Sequence, residues 1–301
     1  MLFGLTTPVV TLVPRSHAAW ERDAGVAEIH QIAAAADRLG YHHLSCSEHV
    51  GIPVDVADTH RGSRYYDPAP TLGYVAACTQ RIRLLTHVLV LPYHHPLAVA
   101  KTYGTLDRLS GGRVILGVGV GSLREEFELL GVDFAGRGDR YEDALRALRA
   151  ALGHDLPAYE GSHYRFGGFR IDPRAVQERL PIWIGGRSPR SLRRALAFGE
   201  GWDPFGLGLD QLGAMFDRAR QSPQWRADFD VVLSPERPLA VDTAADMQQA
   251  REIVDAYAAA GATAMNLRFV HHSLAHYLEC LERFAGEFIN HRGAQRGTED
   301  R

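Results

Sequence analysis

The sequence predicts an α/β protein folded as a TIM (β/α)8 barrel. Three observations predict it. Strand-like and helix-like stretches alternate about eight times along the 301 residues. Several strand-like runs, such as Val114 to Leu116, are apolar throughout, as strands buried on both faces of a parallel sheet are. Parallel strands joined by helical crossovers form an open doubly wound sheet or a closed barrel, and eight units in this length favour the barrel. No composition shift marks a boundary. One domain is therefore expected over residues 1–290, with a polar, disordered tail over 291–301.

Leu2 to Thr6 reads as the first strand, and Pro8 to Ala24 as loop. Ile29, Ile32, Ala33, Ala36 and Leu39 form one apolar stripe of a helix from Glu28 to Leu39, which Gly40 ends. His43 to Ser47 is the second strand and runs into Glu48 and His49. Val50 to Pro70 is a long polar and aromatic loop, the kind that tends to be functional. Thr71 to Thr79 reads as a short helix, and Ile82 to Leu91 as a long third strand stopped by Pro92. Pro96 suits the first position of a helix to Leu109, with Leu106 and Leu109 facing inward and Ser110-Gly111-Gly112 closing it.

Val114 to Leu116 is the fourth strand, continued by Gly117-Val118-Gly119-Val120-Gly121, where a backbone turns tightly and a flat ligand can come close. Asp139 is placed to cap a helix through Leu152 that turns Tyr141, Ala144, Leu145, Leu148 and Ala151 inward. Tyr159 to Phe169 alternates aromatic and polar residues around glycines, as an inserted hairpin would. Pro181 to Ile184 is the fifth strand, ending at Gly185-Gly186-Arg187, and Ser188-Pro189 starts a helix to Phe198. Gly201 to Asp203, the segment Phe229 to Val241 and Ala264 to Phe269 supply the last strands. Helices over Leu209–Ala219, Asp246–Ala260 and Leu274–Phe288 alternate with them.

A net charge of −3 gives no footprint for nucleic acid or an anionic membrane. No apolar run reaches spanning length. Met1 to Leu5 lacks the basic region and cleavage site of a signal peptide. Cys46, Cys78 and Cys280 are odd in number and far apart, which argues against a disulfide framework and suits a cytoplasmic protein.

In a barrel, residues just past the strand ends meet at one mouth. Here these are Glu48, His49, His87, Val118 to Ser122, Gly185 to Arg187, Asp203, His271 and His272. Gly185-Gly186-Arg187-Ser188 offers backbone N–H groups, a guanidinium and a hydroxyl to a phosphate, or is simply a capped glycine turn. His49 is an acid or base beside a substrate, or a buried histidine bonded to backbone. His42, His94 and His95 read as surface or packing residues. Thr6-Thr7-Pro8 stands where metal hydrolase barrels carry a His-x-His pair, so no metal is expected. The Gly117 to Gly121 string fails as a dinucleotide fingerprint, because Ser122 replaces the third glycine and the fourth strand precedes it.

Several longer pieces stand together: Ala36 to Tyr41, Ser47-Glu48-His49, Leu91 to Pro96, Leu106 to Arg113, Gly121 to Phe127 with Leu130 to Val132, and Pro181 to Gly186. With them the chain resembles the bacterial-luciferase-like oxidoreductases, over nearly its whole length, and within them the group that uses the deazaflavin coenzyme F420. The resemblance implies a barrel with inserted loops and a flavin-type ring in its mouth. It implies a non-prolyl cis peptide in the third strand, at His87-Val88, behind that ring. His49 matches the catalytic histidine near the reactive ring edge, and Glu48 the acidic neighbour that can contact the ring. Val120, Gly121 and Ser122 would line the cofactor, and Gly185, Gly186 and Arg187 would hold its phosphate. Ser122 departs from the pattern, because some deazaflavin dehydrogenases carry a glutamate acid there. Glu125 and Glu126 lie close by, but a helix is expected to turn them to solvent.

The expected function is hydride transfer between F420 and a small organic substrate, in a cytoplasmic homodimer, with the Val50–Pro70 loop, including Tyr65 and Tyr66, closing over the substrate. The alternative is an FMN-dependent monooxygenase using reduced flavin and oxygen. A third reading is a non-catalytic ligand-binding barrel, and a fourth a metal hydrolase.

Overall fold

The computed structural model describes residues 1–14, 17–57 and 62–290. The tail over 291–301 and part of the Val50–Pro70 loop lie outside them. The elements in chain order are β1 (Leu2–Thr6), β2 (Thr11–Leu12), α1 (Val26–Leu39), β3 (His43–Cys46), α2 (Val54–Val56) and β4 (Arg64–Tyr65). There follow α3 (Pro68–Ala77), β5 (Arg83–Val90), α4 (Pro96–Ser110), β6 (Val114–Gly119), α5 (Arg124–Leu129), α6 (Arg137–Ala151), β7 (Tyr159–Glu160) and β8 (Arg165–Phe166). The chain continues with β9 (Ile182–Gly185), α7 (Pro189–Phe198), β10 (Gly201–Asp203), α8 (Leu209–Ala219), β11 (Asp230–Leu233), α9 (Ala244–Ala259), β12 (Ala264–Leu267) and α10 (Leu274–Ala285).

Strands β1, β12, β11, β10, β9, β6, β5 and β3 close in that order into a parallel barrel, with β3 pairing back to β1 at Leu5↔Leu44. The predicted barrel is therefore the observed one. The expected hairpin forms from β7 and β8, which pair antiparallel. Local chemistry sets the helix ends. Gly40 and Gly111 take the left-handed conformation that closes α1 and α4. Pro96 opens α4, and the Ser188 side chain caps α7 by accepting from Ser191 N. The Leu106 to Arg113 motif is structural. Asp107, fully buried, accepts from Val176 N at 2.9 Å and Gln177 N at 3.0 Å. Arg113 donates to Ser110 O, Thr79 Oγ1, Ile82 O and Ala76 O, which fastens the α4–β6 turn to its neighbours.

Several local expectations are corrected. Leu109 is 77% exposed, because its neighbour Leu106 already fills the inward position and the helix turns Leu109 out. Helix α6 begins after Gly136, which takes a left-handed turn, so Asp139 sits in the first turn and caps nothing. The segment read as loop from Pro8 to Ala24 holds β2, which pairs antiparallel with β4 at Thr11↔Tyr65 and pins the long loop against the first one.

The barrel interior mixes large rings with glycines. Leu85, Ile115, Trp183, Val232 and Ala264 make an apolar layer. A Cβ on Gly4 would lie 2.0 Å from His43 Nε2, so this glycine leaves room for the imidazole. A Cβ on Gly119 or Gly185 would come within 2.6 Å or 2.8 Å of the Val88 side chain. These two glycines let Val88 lean into the barrel from β5.

Candidate active site

At the C-terminal end of the barrel, β3 delivers Ser47, Glu48 and His49. His49 Nδ1 lies 2.8 Å from Glu126 Oε2, and the His49 side chain is 16% exposed. Glu126 comes from α5 and is buried. It also accepts from Val50 N at 2.5 Å, Gly51 N at 3.3 Å and the Tyr93 hydroxyl at 2.9 Å. Burial opposes its ionisation, but these donors outweigh burial and hold the carboxyl below its usual range. A carboxylate can only accept, so His49 donates through Nδ1 and keeps Nε2 for chemistry. The Tyr65 ring stands edge-on to His49 at 4.5 Å between centroids.

The expectation that Glu126 faces solvent is thus overturned, while Glu125 is exposed as expected. Leu123, Glu126, Phe127 and Leu130 have the spacing of one helix face, and Phe127 on that face is fully buried. Had that stripe been followed, Glu126 was recognisable as a core-facing carboxylate.

The peptide bond His87-Val88 is cis, at the place the resemblance implied, and the β5–β6 register shifts between Thr86 and Leu89. Ser47 Oγ donates to His87 O at 2.7 Å, which joins the end of β3 to this bulge. Glu48 joins them a second time. Its Oε2 accepts from Val90 N at 2.6 Å, and its Oε1 lies 2.7 Å from His94 Nε2. Burial disfavours the charged form of His94, but the bond from Glu48 raises its pKa nonetheless. His94, read as a surface or packing residue, is therefore part of the brace around the mouth. His42 does pack, stacking on Trp183 at 6.3 Å.

Val120, Gly121 and Ser122 follow β6. Gly121 has φ 76°, and a Cβ there would strike Phe127 and Val90. Gly185 ends β9, and Gly186 has φ 112°, a region that favours glycine. Arg187 is exposed beside the start of α7, with its guanidinium 5.6 Å from the Phe205 ring centroid. Strands β3, β5, β6 and β9 are consecutive in the barrel, so His49, the bulge, the β6 glycines and the Gly185–Arg187 turn share one sector of one end. A partly exposed Val88 between two glycines leaves an apolar surface open to a flat ring, and a glycine turn with Arg187 at a helix start offers donors of the kind that an anion accepts. These residues fit a flavin-type ring and its phosphate.

His271 and His272 fall elsewhere. His271 lines a separate cavity of about 140 Å³ with Thr7, Glu21 and Tyr277, and its Nδ1 accepts from Trp20 Nε1 at 3.0 Å. His272 stacks on His276. Among the described residues, Asp242, His276 and Cys280 cluster with metal-type donors. His276 Nε2 at 2.7 Å and Arg283 Nη1 at 2.8 Å already occupy Asp242.

Sequence reasoning placed His87 and Asp203 at the mouth but did not connect them to each other, to Asn266 or to His43. His87 Nε2 lies 3.2 Å from Asp203 Oδ2, Asn266 Nδ2 donates to Asp203 at 3.2 Å, and Asn266 Oδ1 contacts His43 Nε2. For His43 and Asn266 the signal was a polar residue in an otherwise buried strand.

A closed eight-stranded barrel whose chemistry-bearing side chains gather at the C-terminal mouth is the layout of a barrel enzyme. The chain belongs to the luciferase-like monooxygenase family, whose model matches residues 3–300. It is 32% identical to an uncharacterized protein of Mycobacterium tuberculosis over 201 residues, which cover 63% of this chain and 69% of that one. In fold it is similar to the monooxygenase RslO1 from Streptomyces bottropensis, with a TM-score of 0.74 at 21% identity over 97% of this chain and 100% of that one. It is also similar to an F420-dependent secondary alcohol dehydrogenase in complex with an F420-acetone adduct, with a TM-score of 0.69 at 13% identity over 95% and 97% of the two chains. Members of the family are oxidoreductases or monooxygenases. Among the described residues no helix is long and apolar enough to cross a membrane.

Proposed function

We propose that this protein is an F420-dependent oxidoreductase acting on a small organic substrate, as a cytoplasmic homodimer. The observation that carries the reading is the convergence of the His49–Glu126 pair, the Val88 support and the Gly185–Arg187 turn in one sector of the mouth. F420 bound there supplies a centre that gives or takes a hydride. The chain's own residues bind and orient. Val88 would support the ring, Val120, Gly121 and Ser122 would border it, and Gly185, Gly186 and Arg187 would hold the phosphate. Both Glu48 oxygens are engaged, so Glu48 braces the bulge where the resemblance had it reach the ring. His49 Nε2 gives or takes the substrate proton, with its ring oriented by Glu126 and bordered by Tyr65.

The second reading, an FMN-dependent monooxygenase, is favoured by Ser122 standing where some deazaflavin dehydrogenases have a glutamate. One experiment separates the two: titrate the purified protein with F420 and with FMN, and follow oxygen uptake with each reduced form. F420 binding at micromolar concentration without oxygen uptake is the expected result. Tight FMN binding with oxygen uptake overturns it in favour of the monooxygenase. Binding of neither leaves a non-catalytic barrel.

A further inference from the structure

The bonds joining His43, Asn266, Asp203 and His87 connect strands that are not neighbours. His43 is on β3 and Asn266 on β12, with β1 between them; β11 separates Asn266 from Asp203; β9 and β6 separate Asp203 from His87. Such bonds pass through the barrel interior. His43, Asn266 and Asp203 are at most 1% exposed, and the His87 side chain, 18% exposed, is where the chain meets the mouth.

The direction of every bond is fixed. Asp203 can only accept, so Asn266 presents Nδ2–H to it and turns Oδ1 toward His43. His43 therefore carries its proton on Nε2, and its Nδ1 accepts from His42 Nδ1 at 2.9 Å. All donors point toward Asp203. The amide of Asn266 interrupts any proton relay, so this is an arrangement for holding charge and not for moving protons. A buried carboxylate with well-aimed donors on one side is balanced by a cation on the other.

We infer that the mouth holds a second functional group, a cationic His87 fixed from below by Asp203, Asn266 and His43, and that it selects bound molecules presenting an oxyanion: a carboxylate, phenolate or enolate. Among the described residues, Asp203 on β10 is the carboxylate facing the His87 ring, and His43 on β3 stands beyond Asn266. Burial disfavours the charge on His87, but Asp203 outweighs it and the pKa is raised. Burial and the adjacent His42 push His43 down to about 3, so it adds no second cation. Ser47 Oγ holds the His87 carbonyl, which fixes the backbone from which this ring hangs.

The inference rests on the mouth being the binding site of the proposed function, and two measurements separate their failures. The first is NMR titration of the histidine Cε1–H signals in protein without ligand. The His87 signal is expected to titrate above the ordinary value of about 6.5 and to fall below it in Asp203→Asn. The second is calorimetric binding of benzoate and its neutral isostere benzamide. At pH 6.5 benzoate is expected to bind roughly tenfold tighter or more, as a charge-assisted bond implies. That ratio collapses in His87→Gln, and in the unaltered protein as pH rises through the His87 titration. Because the result is a ratio within one protein, general damage to the pocket does not mimic it. A neutral His87 at pH 6.5, a benzoate preference that survives His87→Gln, or no binding of either probe overturns the inference. Failure to bind F420 or FMN while the oxyanion preference persists would instead overturn the proposed function alone.

Discussion

Two histidine–carboxylate pairs stand at the same end of the barrel and are built in opposite ways. The rim pair, His49 and Glu126, is made by the loop after β3 and the short helix α5 that follows β6. Its carboxylate collects donors from the loop after β3, at His49, Val50 and Gly51, and from Tyr93 after β5. The floor pair, His87 and Asp203, is made by strands, and its carboxylate is fixed by a side-chain chain crossing the barrel. The difference teaches what each can do. A loop-built histidine with a free Nε2 can meet a substrate and exchange a proton. A strand-built one, with Nε2 committed to Asp203, is suited to keeping a charge in place.

The largest expected effect comes from breaking the rim. His49→Gln removes the group that exchanges the proton and leaves Glu126 with three of its four donors. Turnover of the coenzyme-loaded enzyme is expected to fall by roughly 10²–10⁴-fold, with coenzyme affinity changing far less. Steady-state kinetics beside a coenzyme titration measure both. Turnover within a few-fold of the unaltered enzyme would move the proton-exchange role away from the rim.

The floor answers to pH. His43 stays neutral in the fold down to about pH 3, whereas in the unfolded chain it takes up a proton below about 6.5. Between these values the unfolded state binds more protons, so stability falls as pH falls; His43 alone removes about 2 kcal/mol by pH 5. His42, pushed by burial to about 4, acts in the same direction. His87 acts oppositely: its pKa is raised in the fold, so its contribution is complete below about 6.5 and fades as pH rises through its folded value. Urea unfolding at pH 7 and pH 5 should show a net loss at the lower pH, steeper in His87→Gln. Equal stability at the two values would mean that His42 and His43 are not held neutral beneath the His87–Asp203 pair.

Rim and floor were also unequally legible in the sequence. Periodicity exposes strands and helices, so the barrel and nearly all of its elements followed from apolar spacing and glycine stops. His49 and the Gly185–Arg187 turn could be singled out because each stands in a contiguous stretch at a strand end, whereas the bulge at His87-Val88 was expected only from the family resemblance. Glu126 was missed because a short helix was assumed to be solvated, although Phe127 beside it marked an inward face. The floor was missed for a deeper reason. His43, Asn266 and Asp203 lie on strands that never pair with one another, and only closure of the barrel brings them together. The β2–β4 pair escaped because two-residue strands carry no period, and the α6 start was misplaced because Gly136, not an acidic cap, turns the chain there.

The smallest effect sharpens the rim. Tyr93→Phe keeps the edge-on ring contact with Phe127, at 4.7 Å between centroids, and removes one hydroxyl from Glu126. His49 and two backbone N–H groups remain on that carboxylate, so it is still satisfied and nothing buried is left unpaired. The cost to stability is expected to be about 1.5 kcal/mol, the low end for a hydrogen bond to a charged group, because the carboxylate stays otherwise bonded. The Glu126 carboxyl, having lost one donor, is expected to titrate closer to the ordinary range, which carboxyl-carbon NMR would follow. If Tyr93→Phe instead costs as much turnover as His49→Gln, Tyr93 has a role at the substrate, and the rim works as a triad of tyrosine, glutamate and histidine rather than as a pair.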